Sequence, residues 1–286
     1  MIVSTSRPYF APCPEFFSRV CLSDVFVILD NVQFPRGTTW ITRNRFKNDQ
    51  GTLWMTVPVW TKGLGLQKLN DIRICHESPL QVKNLKSLKQ AYANAPYFSE
   101  HVQFLNTIFS TGFDRLIDFN MAILRHLMLN IGAETEVRLL SELSMKARGK
   151  TLLVEICRYF NASSYLAQSA ALKYLDPNLF KSAGIELSRL KSKPCVYPQL
   201  WGDFIPDLSA FDLLFNCGPK ARDIMLADYQ RKIIPYGINF TCERLQSNLA
   251  LRGTCKFVPD ILLKIVKQLL LIIVQITGLF QAVDLN

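Results

Sequence analysis

Histidine is scarce in this chain: His76, His101 and His126 are the three among 286 residues. None of the eight cysteines forms a C-x-x-C pair, and Cys75-His76 alone sets two soft ligands side by side. Structural zinc needs four such ligands, usually in paired spacings, so the pattern argues against a zinc site and implies no metal. No basic-then-apolar leader opens the sequence, so the cysteines read as reduced cytosolic thiols that mostly fill core space. Charged residues make up 20% against 49% hydrophobic, which excludes a disordered chain. Acidic residues are outnumbered, giving a net charge of +10. That excess is spread: residues 1–75 hold nine Lys/Arg against five Asp/Glu, and residues 239–286 hold five against three. Even spreading argues against a dedicated nucleic-acid face.

What the sequence does have is centred on residues 23–48. Val25 to Leu29 form an uninterrupted apolar run closed by Asp30 and Asn31, the signature of a strand buried on both faces. Gln33, Arg36, Arg43, Arg45 and Lys47 follow, with no acidic residue between Asp30 and Asp49. Groups that follow such a strand lie at its carboxyl end, where open α/β sheets bind ligands. Four cations in that position suit an anionic small molecule, although a solvated basic loop reads the same way.

Upstream, Ile2 to Thr5 reads as a first strand. Pro8, Pro12 and Pro14 then impose a stiff loop, and Pro14 to Cys21 reads as a helix. Strand, rigid loop, helix and strand make a βαβ unit. Residues 52–60 predict a further strand, and the alternation over Leu69 to Ile74 predicts another. From Ser78 to about Gly132 the period becomes helical, with a break at A-P-Y-F (95–98), and implies about three helices within an insertion bounded at 79–150. Beyond it, Thr151 to Phe160 and Ala170 to Tyr174 read as helices. Ser164 to Ala167 and Ile185 to Leu187 read as strands. Residues 206–218 read as a helix capped at Asp207 or Ser209 and stopped by Gly218. The chain therefore divides into an α/β domain over 1–238 and an apolar extension over 239–286. Within that extension Ile261 to Val283 carries Lys264 and Lys267, which favours an interfacial or partner-bound helix, including a homo-oligomer contact, over a span.

Several ordered motifs are specific. R-P-Y-F-A-P-C-P-E-F-F matches a Q-P-x-Y-x-P-x-x-G-Y-F element at Pro8, Pro12 and Phe17, and D-V-F-V-I-L-D-N-V-Q-F matches D-x-F-V-x-x-D-D-V-Q-Y at Asp24, Asp30, Val32 and Gln33. W-x-x-R-N follows at Trp40, Arg43 and Asn44, and W-x-T-V-P-V at Trp54 to Val59. Later come A-P-Y-F, then Tyr165, Leu166, Ser169 and Ala170, then Tyr197 and Gln199, and then Pro206, Ser209, Asp212, Asn216 and Gly218. In these the chain resembles the WbqC-like family of bacterial proteins, found among surface-polysaccharide and O-antigen biosynthesis functions. The departures are Arg7 for Gln, Glu15 and Gln168 for Gly, and Asn31 for Asp.

The resemblance implies modification of an amino-sugar nucleotide or glycan precursor, by acyl or aminoacyl transfer to a sugar amine, in the cytoplasm or peripherally at the inner face of the membrane. The order of elements suggests a Rossmann-like, mostly parallel sheet of the nucleotidyltransferase kind, with a helical insertion and a hydrophobic C-terminal helical tail; the H-x-G-H signature of those enzymes is missing. On this reading Arg43, with Arg7 and Arg45, clamps phosphate, and Asp30 acts as base or orients the amine. Gln33 and Asn44 bond sugar hydroxyls, while Gln199, Asp212 and Asn216 contribute further substrate contacts. Trp40 and Trp54 stack on the ligand or, the preferred alternative, fill core. Cys13 in the rigid loop is the thiol placed for carrying an acyl group, with core filling as the default. No cofactor is implied. The competing function is a non-catalytic basic module or scaffold for RNA or an anionic membrane surface.

Overall fold

The computed structural model describes residues 1–37, 39–77, 80–190, 194–227 and 233–235. The expectations for the apolar tail, including the helix over 261–283, lie outside the described residues.

Five parallel strands form the main sheet: β1 (Ile2–Ser6), β2 (Val25–Ile28), β5 (Glu136–Leu139), β6 (Ser164–Ala167) and β7 (Glu186–Leu190). With β8 (Ile233–Pro235) antiparallel at one edge, the order is β5-β2-β1-β6-β7-β8. The fold is thus α/β with a Rossmann-like sheet. All four residues of β2 are buried because both faces are covered. Phe26 and Ile28 enter one core with Phe16, Phe17 and Val20, while Val25 and Val27 enter the other with Val3, Tyr165 and Leu187.

Helix α1 (Pro14–Cys21) begins at a proline whose missing N–H is no loss in a first turn. It is fastened to β1 by Arg19, which is buried between the rings of Phe16 and Phe26 and donates from Nη1 to the Thr5 carbonyl and the Ser4 hydroxyl.

The whole stretch from Leu29 to Thr135 is inserted between β2 and β5. It holds an antiparallel hairpin, β3 (Arg43–Asn48) and β4 (Gly51–Thr56), then α2 (Leu80–Tyr92), α3 (Phe98–Ser110) and α4 (Leu116–Ile131). Three helices occur where the period changes, the last ending at Ile131 beside the expected Gly132, but the helical part stops short of 150 because Glu136–Leu139 returns to the sheet beside β2. The strand expected over Leu69 to Ile74 is instead a 3₁₀ turn, Leu69–Asp71, followed by bridges at Arg73 and Ile74. Leu69 and Ile72 both face the core, and that three-residue spacing suits a 3₁₀ turn, whereas an alternating strand would send them to opposite faces.

The remaining helices are α5 (Leu152–Tyr159), α6 (Pro177–Ser182), α7 (Ala210–Cys217) and α8 (Ala221–Leu226). Residues 169–174 form a 3₁₀ turn. The Ser209 hydroxyl caps α7 by accepting from the Phe211 N–H. Gly218 ends it at φ +49°, where a Cβ would collide with the Tyr97 ring. Among the described residues no helix is long and apolar enough to cross a membrane.

From β1 the chain steps through β2 to β5 on one side and later fills β6 and β7 on the other. The order therefore reverses between β1 and β6, and the crevice beyond their carboxyl ends is where such sheets receive ligands. Arg7, exposed, follows β1, and Gln168 follows β6.

Candidate functional site

The proline-rich loop after β1 does not float at the sheet edge. Asn44 of β3 donates its amide to the carbonyls of Phe10 (3.0 Å) and Ala11 (2.7 Å), and its oxygen accepts from the Arg45 N–H. Asn120 of α4 donates to the carbonyls of Pro8 and Ile41, and the Phe10 N–H donates to the Trp40 carbonyl. Two elements, β3 and α4, and one direct bond thereby hold the loop and the 39–42 turn in place. Ala11 sits at φ +43°, a conformation that L side chains rarely take, and its carbonyl is one that Asn44 holds.

The hairpin behind this loop alternates. Asn44, Phe46 and Met55 point into the core, and Arg43, Arg45 and Trp54 point outward, with Arg45 opposite Trp54 in register. The 39–42 turn lays Trp40 against that outer face. Its ring stacks on Trp54 at 5.8 Å and 28°, and each tryptophan remains 45% exposed. The Arg43 guanidinium lies 3.5 Å from the centre of the Trp54 ring, and that of Arg45 lies 5.8 Å from Trp40. Arg45 also donates to the carbonyls of Pro206 and Asp207. The buried Nε atoms of both arginines lack partners, and neither arginine joins an ion pair among the described residues. Thr39, Trp40, Arg43 and Trp54 line a cleft of about 370 Å³. A second cleft, of about 390 Å³, opens between the loop after β2, at Phe34 to Gly37, and the segment from Val59 to Gln67. Core filling, the preferred expectation for Trp40 and Trp54, is overturned by their exposure.

A surface of this composition can receive a planar ring that carries negative charge. Indole faces stack on a base or sugar ring, and guanidinium groups donate to phosphate oxygens. Arg43 and Trp40 therefore belong to one surface, together with Arg45 and Trp54.

The other sequence-derived candidates fall elsewhere. Asn44 is buried and spends its amide on the loop, so it acts as framework. The buried Asp212 and the half-buried Asn216 and Gln199 meet in a polar knot. The Tyr92 hydroxyl donates to the Asp212 carboxylate at 2.6 Å and accepts from the Lys47 N–H, and Asn216 donates to the Asp212 carbonyl. Lys47 Nζ donates to the Asp203 carbonyl (2.6 Å) and to Gln199, whose amide clamps both backbone groups of Ile205. Burial raises the Asp212 carboxyl above its ordinary range, raises the Tyr92 and Tyr197 phenols, and lowers the Lys47 amine. Asp212 has no exposed surface. This knot ties β3, α2 and α7 to the 197–205 loop, which corrects the expectation of substrate contacts from Gln199 and Asp212.

Asp30, at the end of β2, accepts from the Ser141 N–H (2.9 Å) with one carboxylate oxygen and from the Ser141 hydroxyl (2.5 Å) with the other. It pins the segment after β5 to the end of β2 and holds the exposed Ser141 in place. Gln33 is exposed, and its backbone bridges to Lys68. Burial, with Glu15 nearby, pushes the thiol of the half-buried Cys13 up to about 11, which disfavours the thiolate that an acyl carrier would use. Among the described residues no group of three or more His, Cys, Asp or Glu side chains is arranged to hold a metal.

Sequence reasoning missed Ser141, Tyr92 and Lys47 as members of these networks. Lys47 alone carried a signal, as the last cation of the basic strip.

Residues 7–224 match the profile of the WbqC-like protein family. An uncharacterized protein of Mycobacterium tuberculosis, Rv1507c, is 30% identical over 226 residues, covering 78% of this chain and 96% of that protein. No solved structure matches the chain.

Proposed function

This chain belongs to the WbqC-like protein family, and we propose that it is a transferase binding an amino-sugar nucleotide and passing an acyl or aminoacyl group to its sugar amine, as a step in surface-polysaccharide biosynthesis. The observation that carries the reading is the exposed Trp40–Trp54 pair flanked by Arg43 and Arg45, neither of them neutralised by a carboxylate among the described residues. The tryptophans supply a face for the base or sugar, and the guanidinium groups supply the diphosphate contacts. Asp30 enters as a positioning residue through Ser141, and Arg7 and Gln33 stand exposed near the same sheet edge.

A second reading draws on the same platform. Exposed tryptophans with arginines also suit the bases of single-stranded RNA, although the positive charge is spread over the whole sequence.

A thermal-shift panel on the full chain separates the two, using nucleoside-diphosphate amino sugars, ATP, acyl-CoA and short RNA. A ligand at a hundred times its Kd stabilises by about 2.7 kcal/mol, a rise of a few degrees at this size. The expected result is a rise with one sugar nucleotide that Arg43→Ala abolishes. A rise with RNA alone, falling steeply with added salt, would establish the second reading instead.

A further inference from the structure

Isolated apolar side chains are common on protein surfaces and carry no message, whereas several on one segment do. The exposed Val82, Leu129, Tyr159, Tyr174 and Val196 are scattered singly. The segment from Trp60 to Lys68 differs. Trp60 is 42% exposed, Leu64 55% and Leu66 65%, and every residue from Trp60 to Leu66 is on the surface.

The base of this loop is fixed. The Trp60 N–H donates to the Arg73 carbonyl, Gln67 donates its amide to the Trp60 carbonyl, and the Phe34 N–H donates to the Gln67 carbonyl. Its tip is a turn in which the Leu64 N–H donates to the Thr61 carbonyl (3.3 Å) and Leu64 lies between Gly63 (φ +77°) and Gly65 (φ +65°), which presents the leucine to solvent. Lys62 and Lys68 flank the tip, and Arg36 stands on the opposite wall of the cleft that the loop helps to form. All three are exposed, none joins an ion pair among the described residues, and no acidic residue occurs between Gly51 and Asn70.

Apolar tip, tryptophan at the shoulder and unpaired cations around the rim match the layers of an anionic bilayer surface: acyl boundary, interface and headgroups. We propose that the 60–68 loop docks the protein on an anionic lipid surface, with Leu64 and Leu66 entering the boundary and Lys62, Lys68 and Arg36 on the headgroups. The occupant is a lipid surface because the patch joins apolar side chains to uncompensated positive charge. Docking turns the mouth of the 390 Å³ cleft towards the membrane.

The test is co-sedimentation of the full chain with vesicles of phosphatidylcholine alone or mixed with phosphatidylglycerol, together with quenching of tryptophan fluorescence by brominated lipid. Any contribution from the rest of the chain is common to all the loop variants. Binding should require the anionic lipid, weaken about fivefold for each of Lys62→Gln and Lys68→Gln, and weaken by roughly tenfold or more in Leu64→Ser/Leu66→Ser. Quenching should drop in Trp60→Phe, a conservative change at an exposed site. Equal binding and quenching in wild type and loop variants would overturn the proposal, as would absence of vesicle binding. Self-association that the leucine variant abolishes, with no vesicle binding, would assign the loop to a second copy of this chain.

Discussion

Asn44 shows how a residue in a conspicuous motif can serve the frame and not the ligand. A buried amide holding two carbonyls of a strained loop leaves those carbonyls unpaired when it is removed, and each unsatisfied buried group is expensive. Asn44→Ala should lower stability by roughly 1–3 kcal/mol in urea unfolding. A loss below about 0.5 kcal/mol, the level of an ordinary surface change, would mean that the loop does not depend on it. Trp40 and Trp54 teach the converse. Their size favours core by default, but an indole stacked on another indole and on a guanidinium can remain half in water and still be fixed in place.

At the scale of elements, α1, β2 and β6 were legible from the sequence because proline placement and apolar runs each admit one reading. Strand β3 was not: R-N-R-F-K-N has poor strand propensity and puts an asparagine on its buried face, and only the alternation of arginine outward shows it. Strand β5 escaped because an edge strand four residues long, with Glu and Arg at alternate positions, resembles loop. The site was half legible. The W-x-x-R-N motif sets Trp40 and Arg43 close in sequence, and the fold places both on one surface, while Asp212, Gln199 and Asn216 converge in space to bond one another's elements.

Helices α3 and α4 meet through a histidine pair, His101 Nδ1 and His126 Nε2 at 2.9 Å, with His126 stacked on Phe104 at 3.6 Å. Burial, then His101, lowers the His126 imidazole from its ordinary 6.5 to about 4. Between those values the unfolded chain binds the proton and the folded chain does not, so stability falls as pH drops from about 6.5 towards 4. Thermal unfolding across that window should show a shallower acid loss in His126→Gln, which keeps a hydrogen-bonding group towards His101. Equal slopes in the two proteins would place the acid sensitivity elsewhere.

For the whole molecule, the sheet order reverses at β1 and β6, and the long insertion after β2 brings the hairpin to lie against the loop that leaves β1. The insertion is thus the means by which residues distant from the switch point supply the aromatic and cationic surface. The central claim is that a sugar nucleotide stacks on that surface. Its most direct test is a tryptophan-fluorescence titration of the full chain with a nucleoside-diphosphate amino sugar, compared with Trp54→Phe and Arg43→Ala. Saturable quenching in the wild type that both substitutions weaken at least about tenfold, the worth of 1.4 kcal/mol, is the predicted result. Quenching that saturates identically in all three proteins, or no saturation in the wild type, would contradict it.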